Sequence, residues 1–430
     1  MAELVRTDLQ NYAPASNLLF NEKIKNLILA GQQVYHFAFG QSPFPVVESA
    51  VTALKEYAGE NVYLPVAGIP ELRESICAFH ARFDNLNDYI ADDVIVGPGS
   101  KELIFLLMNV FSGDVIVISP SWTTYKPQAR LAHHTPHVIK TSIDNEWKIT
   151  PQLVEQFMAS NKLSKHKLLV LNNPDNPSGT IYSESELRAL SEIFRRHNII
   201  VLSDEIYARL NYDQPHVSIA HHYPEGTVLS TGLSKWCSAG GWRLGYHIYP
   251  KELTPLKLAV RSAASHTYTS APSPVQFAAW KMFQNMDECD DYIQHCSRIL
   301  KAVGDYCHRE LTSVGVKAIR PKSGYYIFPD FEILREKMES RGIVTCEDMC
   351  ETLLQEASVA VMAGGPAFLR PTNELTTRLC YVPFDGGLAL KASRALGLDD
   401  PLPDDFVKEF CSNVYDGIQA LKNWVLLQLQ

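Results

Sequence analysis

The stretch Thr227-Val228-Leu229-Ser230-Thr231-Gly232-Leu233-Ser234-Lys235 runs from an apolar strand pattern directly into a glycine, a serine and a lysine. Four more short runs of the same kind flank it: DVIVIS at 114–119, KLLVLNN at 167–173, IIVLSDE at 199–205 and RLGYHIY at 243–249. Between several of them lie helical patterns, such as SESELRALSEIFRRH at 183–197. Ser183 followed three residues later by Glu186 predicts a capping box opening that helix. Continuous Val/Ile/Leu runs separated by helices indicate a mainly parallel sheet buried on both faces. Such sheets bind ligands at the carboxyl ends of their strands. The polar residues just after each apolar run are therefore the candidates for function.

Lys235 is the first of these. Lysines are rarely placed at the edge of a buried sheet for packing. A partly desolvated lysine has a lowered pKa and can form Schiff bases. Eight residues on, Arg243 stands in Gly-Gly-Trp-Arg-Leu-Gly, and its planar fork suits a phosphate or a carboxylate. Asp204 closes IIVLSD, where a carboxylate can also simply cap the next helix. Asn172-Asn173-Pro174-Asp175-Asn176-Pro177-Ser178-Gly179 follows another run. Its prolines and glycine make either a plain turn or a rigid mount for the Asn176 amide. Val96-Gly97-Pro98-Gly99-Ser100-Lys101-Glu102 leads from a strand into the helical run LIFLLMNVF. A small-residue turn at a helix N-terminus presents free N–H groups to an anion; it does not match a Walker A motif.

Gly232-Leu-Ser-Lys-Trp-Cys-Ser-Ala-Gly-Gly-Trp-Arg-Leu-Gly245 resembles the lysine signature of class I/II aminotransferases, which are fold type I pyridoxal-phosphate enzymes. Asn-Pro-Asp-Asn-Pro-Ser-Gly, Ser-Asp-Glu-Ile-Tyr and Tyr-Leu-Pro-Val-Ala-Gly-Ile-Pro-Glu-Leu-Arg resemble the same family, in its order, and the likeness runs from about Phe39 to Asp385. The resemblance implies an α/β fold of the aspartate aminotransferase type. Its large domain, over 56–300, would hold a mainly parallel seven-stranded sheet flanked by helices. A smaller α+β domain would combine 1–55 with 301–430, where amphipathic helices around 290–315 and 345–357 alternate with short pieces such as YYIF and TRLCYV.

The resemblance also assigns roles. Lys235 holds pyridoxal 5′-phosphate as a Schiff base and shuttles the proton between the substrate α-carbon and the cofactor. Asp204 pairs with the pyridine nitrogen. Asn176 and Tyr207 bond the phenolic oxygen. Trp122, in Pro-Ser-Trp-Thr-Thr-Tyr, stacks on the ring, although a tryptophan packed in the core would look the same in sequence. Gly99, Ser100 and Lys101, with Ser234 and Arg243, cup the phosphate, and Tyr63 reaches the phosphate of a neighbouring subunit, which implies a homodimer with shared sites. Many relatives carry a serine three residues before the lysine, where this chain has Gly232, so Ser234 either replaces that contact or the contact is lost. Arg378, in Thr-Thr-Arg-Leu-Cys-Tyr-Val, and Gly40, in Phe-Ala-Phe-Gly-Gln-Ser-Pro, receive the substrate α-carboxylate, while Trp122 and Asn176 also face the substrate. Tyr325 and Tyr326 line the side-chain pocket or belong to the core. A charge on the strand at Arg378 that merely faces solvent is the plain alternative.

Amino transfer between a 2-amino acid and a 2-oxo acid is the leading expectation. A C–S lyase or an aminocyclopropane-carboxylate-synthase-like lyase uses the same lysine and aspartate. A catalytically dead relative acting as a regulator is disfavoured by the intact set of residues. The 430 residues exceed one ordinary core. A net charge of −9 with no basic stripe points away from nucleic acid and from anionic membranes. Nine scattered cysteines suit reduced thiols in the cytoplasm, and Cys346 and Cys350 lack the second pair that a zinc site needs. MAELVRTDLQNYAP reads as neither a signal nor a transit peptide, and no run approaches the ~18 apolar residues of a membrane helix.

Overall fold

The computed structural model describes Leu4, Arg6, Leu9 and residues 16–430. The reading of the first fourteen residues as non-targeting sequence therefore lies largely outside the described residues. Twelve strands follow one another along the described chain: β1 Tyr35–His36, β2 Val94–Gly97, β3 Asp114–Ser119, β4 His137–Lys140, β5 Lys167–Asn172, β6 Ile199–Asp204, β7 Thr227–Gly232, β8 Gly245–Ile248, β9 Tyr326–Ile327, β10 Val359–Ala360, β11 Met362–Ala363 and β12 Thr377–Cys380.

Seven of these form one sheet in the order β2-β8-β7-β6-β5-β3-β4. All neighbours are parallel except β8, which runs antiparallel to β2 and to β7. Every residue of β5 and of β7 is buried. That explains the apolar middle of β5, residues 168–171: helices cover both faces, so no position there has to be polar; β7 is buried too, although only Val228 and Leu229 are large and apolar. The capping box is present, with Ser183 Oγ accepting from Glu186 N and the Glu186 carboxylate accepting from Ser183 N, at the start of helix Glu184–Arg196.

The chain goes from β3 outward to β4, then returns to the other side of β3 to make β5. The strand order therefore reverses between β3 and β5, and the crevice beyond the carboxyl ends of these strands is where such sheets take ligands. Trp122 follows β3 and Asn176 follows β5, so the two stand on either side of that reversal.

The C-terminal part carries a three-stranded antiparallel sheet, β11-β12-β9, and a short parallel pair, β1-β10. Helix Met286–Thr312, of 27 residues, runs through position 300 without interruption. Helix Glu48–Glu56 packs against helix Ser273–Gln284. One apolar cluster, containing Phe37, Leu72, Trp236, Leu300 and Leu379 among others, joins the two parts.

Candidate active site

The carboxyl ends of β3, β5, β6 and β7 open on a cavity of about 560 Å³. Its lining includes Gly40, Ser100, Lys101, Trp122, Asn176, Asp204, Tyr207, Ser234, Lys235, Arg243, Tyr326 and Arg378. Twelve residues spread over more than 330 positions of sequence thus converge on one space, and eleven of them are sites expected from the sequence, with Tyr326 the member that the sequence left between pocket and core. Gly99 stands one residue from the lining. Tyr63 does not line the cavity and is 87% exposed.

Asp204 is the last residue of β6 and is buried. Its Oδ2 accepts a 2.6 Å hydrogen bond from the Tyr125 hydroxyl, and Oδ1 accepts from Ile206 N at 3.3 Å. Burial pushes its carboxyl up to about 6, and the Tyr125 bond opposes that rise. A buried carboxylate held this way and facing a cavity suits a cationic ring nitrogen. Tyr125 escaped the sequence reading. It opens helix Tyr125–Leu131, three residues after Trp122, and nothing local signals that its hydroxyl meets a carboxylate 79 positions away.

Lys235 sits just past β7 and donates from Nζ to the Gly40 carbonyl at 2.9 Å. Desolvation lowers its amine to about 8, and the Arg378 charge acts in the same direction. An amine near neutrality at pH 8 is a nucleophile and a base in one group. Tyr207 and Asn176 lie beside it. The Asn176 amide donates to the Tyr207 hydroxyl at 3.5 Å, and the Tyr207 and Tyr326 hydroxyls are 2.8 Å apart. Tyr325 is buried and bonds the Gly40 carbonyl at 3.3 Å, so of the two adjacent tyrosines Tyr326 faces the cavity and Tyr325 supports it from behind.

An anion cradle closes one end. Helix Ser100–Val110 starts without a side-chain cap, so its first N–H groups are available. Gly99 reaches this turn at φ +95°, and a Cβ there would overlap the Arg243 guanidinium. Arg243 itself has a left-handed φ of +56°, rare for a non-glycine residue and an indication that its surroundings hold it there. The Lys101 amine lies 5.1 Å from the Trp122 ring, lowered by burial first and then by the Arg243 charge. Gly232 is directly opposite Gly245 on β8. A Cβ on Gly232 would come 2.8 Å from the Gly245 Cα and the Leu244 carbonyl, so β7 and β8 leave no room for the serine of many relatives. The donor set — free helix N–H groups, an arginine, a buried aspartate and a desolvated lysine — fits a phosphorylated pyridine aldehyde.

At the opposite end, Arg378 on β12 is 2% exposed. Its Nη1 donates to Asn176 Oδ1 at 3.3 Å and its Nη2 to the Ala38 carbonyl at 2.8 Å. Its Nε is buried without a partner, and no carboxylate pairs with it among the described residues. The plain alternative of a solvent-facing strand charge is thereby excluded.

Residues 32–383 match the family Aminotransferase class I and II. The chain belongs to that family. An aspartate aminotransferase from Geobacillus stearothermophilus is 33% identical over 86% of this chain and 92% of its own length. One from Bacillus subtilis is 30% identical over the same shares. Among solved structures, a double mutant of Thermus thermophilus aspartate aminotransferase superposes with a TM-score of 0.81 at 25% identity, covering 97% of this chain and 99% of that one. The protein is therefore a pyridoxal-phosphate-dependent aminotransferase, and the lyase reading is not favoured. Among the described residues no helix is long and apolar enough to cross a membrane.

Proposed function

We propose that this aminotransferase takes its amino group from an acidic 2-amino acid of the aspartate type, in a site shared across a homodimer in the cytoplasm. The observation that carries the amino-acid part is Arg378. An uncompensated guanidinium in a protein interior costs several kcal/mol unless a partner arrives. A substrate carboxylate bound bidentately supplies both the charge and the missing acceptor for Nε. Gly40, which lines the same cavity, would meet the same carboxylate with its backbone.

Pyridoxal 5′-phosphate, when bound, supplies the electron sink for negative charge at the substrate α-carbon. The chain's own residues would do the rest. Lys235 would hold the cofactor and take the proton from the substrate α-carbon. Asp204 would keep the ring nitrogen protonated. Asn176 and Tyr207 would bond the phenolic oxygen, Trp122 would stack on the ring, and the backbone of Gly99, Ser100 and Lys101, with Ser234 and Arg243, would hold the phosphate. Tyr63 does not line this cavity, and its exposure suits a role toward the cofactor of a second copy. The residue ranges 56–300, and 1–55 with 301–430, remain our division into large and small domains.

The acidic preference is supported by the relatives named above, which are aspartate aminotransferases. A half-reaction screen tests the whole reading. Amino acids added singly to the yellow holoenzyme, without an oxo acid, should leave a persistent colourless amine form, fastest with aspartate or glutamate. Persistent yellow with release of pyruvate or ammonia overturns amino transfer; faster conversion by aromatic amino acids overturns the acidic preference.

A further inference from the structure

Residues 37–47 join β1 to helix Glu48–Glu56 with neither helix nor strand of their own. This strap nevertheless makes the central contacts of the site. The Ala38 carbonyl accepts from Arg378 and the Gly40 carbonyl from Lys235, at 2.8 and 2.9 Å. Its near end is fixed by backbone bonds, Phe37 N to the Ala360 carbonyl and Cys380 N to the Phe37 carbonyl. Its far end has no such backbone ladder. There, the Ser42 and Ser238 hydroxyls are 2.6 Å apart, the Ser238 and Tyr292 hydroxyls 2.7 Å apart, and the Tyr292 hydroxyl donates to the Pro45 carbonyl at 2.8 Å.

Proton counting fixes the direction of this row. A carbonyl only accepts, so Tyr292 uses its single proton on Pro45. Ser238 must then donate to Tyr292, and Ser42 to Ser238. Each hydroxyl has one proton to donate, and bonds in such rows polarise one another. Tyr292 comes from helix Met286–Thr312 and is 2% exposed. Ser238 lies between Lys235 and Arg243 in a left-handed conformation, φ +60°. The row therefore ties the strap to the segment that bears the lysine and to the long helix.

We infer that Tyr292 and Ser238 are positioning residues for substrate: they hold the strap that sets Ala38 against Arg378 and Gly40 against Lys235 in the cavity. This rests on the reading above that Gly40 and Arg378 receive the α-carboxylate. Tyr292 does not line the cavity, so its loss should change how well the carboxylate is held and leave the proton transfer at Lys235 intact.

The test uses Tyr292→Phe and Ser238→Ala holoenzymes, the double variant, and Arg378→Lys as the control for the carboxylate reading. Turnover is measured with L-aspartate, or with whichever amino acid the half-reaction screen selects, and cofactor affinity by fluorescence titration of the apoenzymes. One lost hydrogen bond predicts a KM increase of roughly 3–10-fold in either single variant. The inference further requires kcat within about twofold, unchanged cofactor affinity, and a double variant no worse than the singles, because they break one row. Unchanged KM in both singles overturns it, even if thermal stability falls, as does a KM rise matched by lost cofactor affinity or additive effects in the double variant. Unchanged KM in Arg378→Lys instead removes the carboxylate reading itself, and this inference with it.

Discussion

Tyr125→Phe isolates the control of Asp204. The substitution removes one hydroxyl and leaves the ring, so packing against Trp122, 5.1 Å away edge to face, is kept. What is lost is the 2.6 Å bond to Oδ2, leaving the 3.3 Å contact from Ile206 N. A hydrogen bond to a charged group contributes about 1.5–3 kcal/mol. At 1.36 kcal/mol per pKa unit, its loss raises the Asp204 pKa by about 1–2 units. From about 6 in the empty site, the carboxyl moves to roughly 7–8. At pH 7 the ionised fraction then falls from about nine-tenths to between roughly one-half and one-tenth. Binding of a ring protonated at nitrogen needs the ionised form, so cofactor affinity at pH 7 should fall roughly 2–10-fold, and the defect should vanish by about pH 9. Apoenzyme titrated with pyridoxal 5′-phosphate between pH 6 and 9, followed by tryptophan fluorescence, measures this. A loss of affinity that is the same at every pH would refute the electrostatic reasoning, and no loss at all would show that Tyr125 does not control the carboxylate.

Three further outcomes follow from the same geometry. The folded-state pKa of Asp204 lies above the unfolded value of 3.8, so burying its charge costs stability that appears as pH rises from about 4 to 6; Asp204→Asn should make the apoenzyme more stable at pH 7, by up to about 3 kcal/mol, while cofactor binding weakens, and an apoenzyme melting lower than wild type would contradict this. The lowered Lys235 pKa predicts that the rate of cofactor uptake by the apoenzyme rises with pH through about 8; in stopped-flow mixing, a midpoint near 10.5 would show that the cavity does not desolvate the amine. Gly232→Ser should lower the melting temperature, by about 1–3 kcal/mol of stability, without tightening cofactor binding, because the new Cβ meets the backbone of β8; a tighter, equally stable variant would count against the close approach.

The sheet and most of the site could be read from sequence for one physical reason. A strand covered on both faces is apolar through its middle, so β3, β5, β6 and, more briefly, β7 stand out, and polar residues at and beyond their carboxyl ends fall at the cavity. Lys235, Asp204 and Asn176 are of this kind. Tyr125, Ser42, Ser238 and Tyr292 are not, because their partners lie 54 to 247 positions away and no local pattern records a bond of that span. The C-terminal strands were only partly legible: β9 and β11 are two residues long, too short for an alternation to declare itself. The limit placed at residue 300 falls within a helix whose amphipathic pattern runs unbroken from Met286 to Thr312, so composition had no break to show there.

The reversal of β8 has a consequence for how this enzyme tolerates change. Because β8 returns antiparallel beside β7, the segment between them carries both Lys235 and Arg243, the residues proposed above to hold the aldehyde and phosphate ends of the cofactor. The two ends of a rigid small molecule are thus gauged by one short piece of chain. A residue inserted or deleted there shifts one anchor against the other, whereas the same change in the segment between β4 and β5, none of which lines the cavity, moves neither anchor. Length, more than the identity of the residues in between, is what this return has to keep.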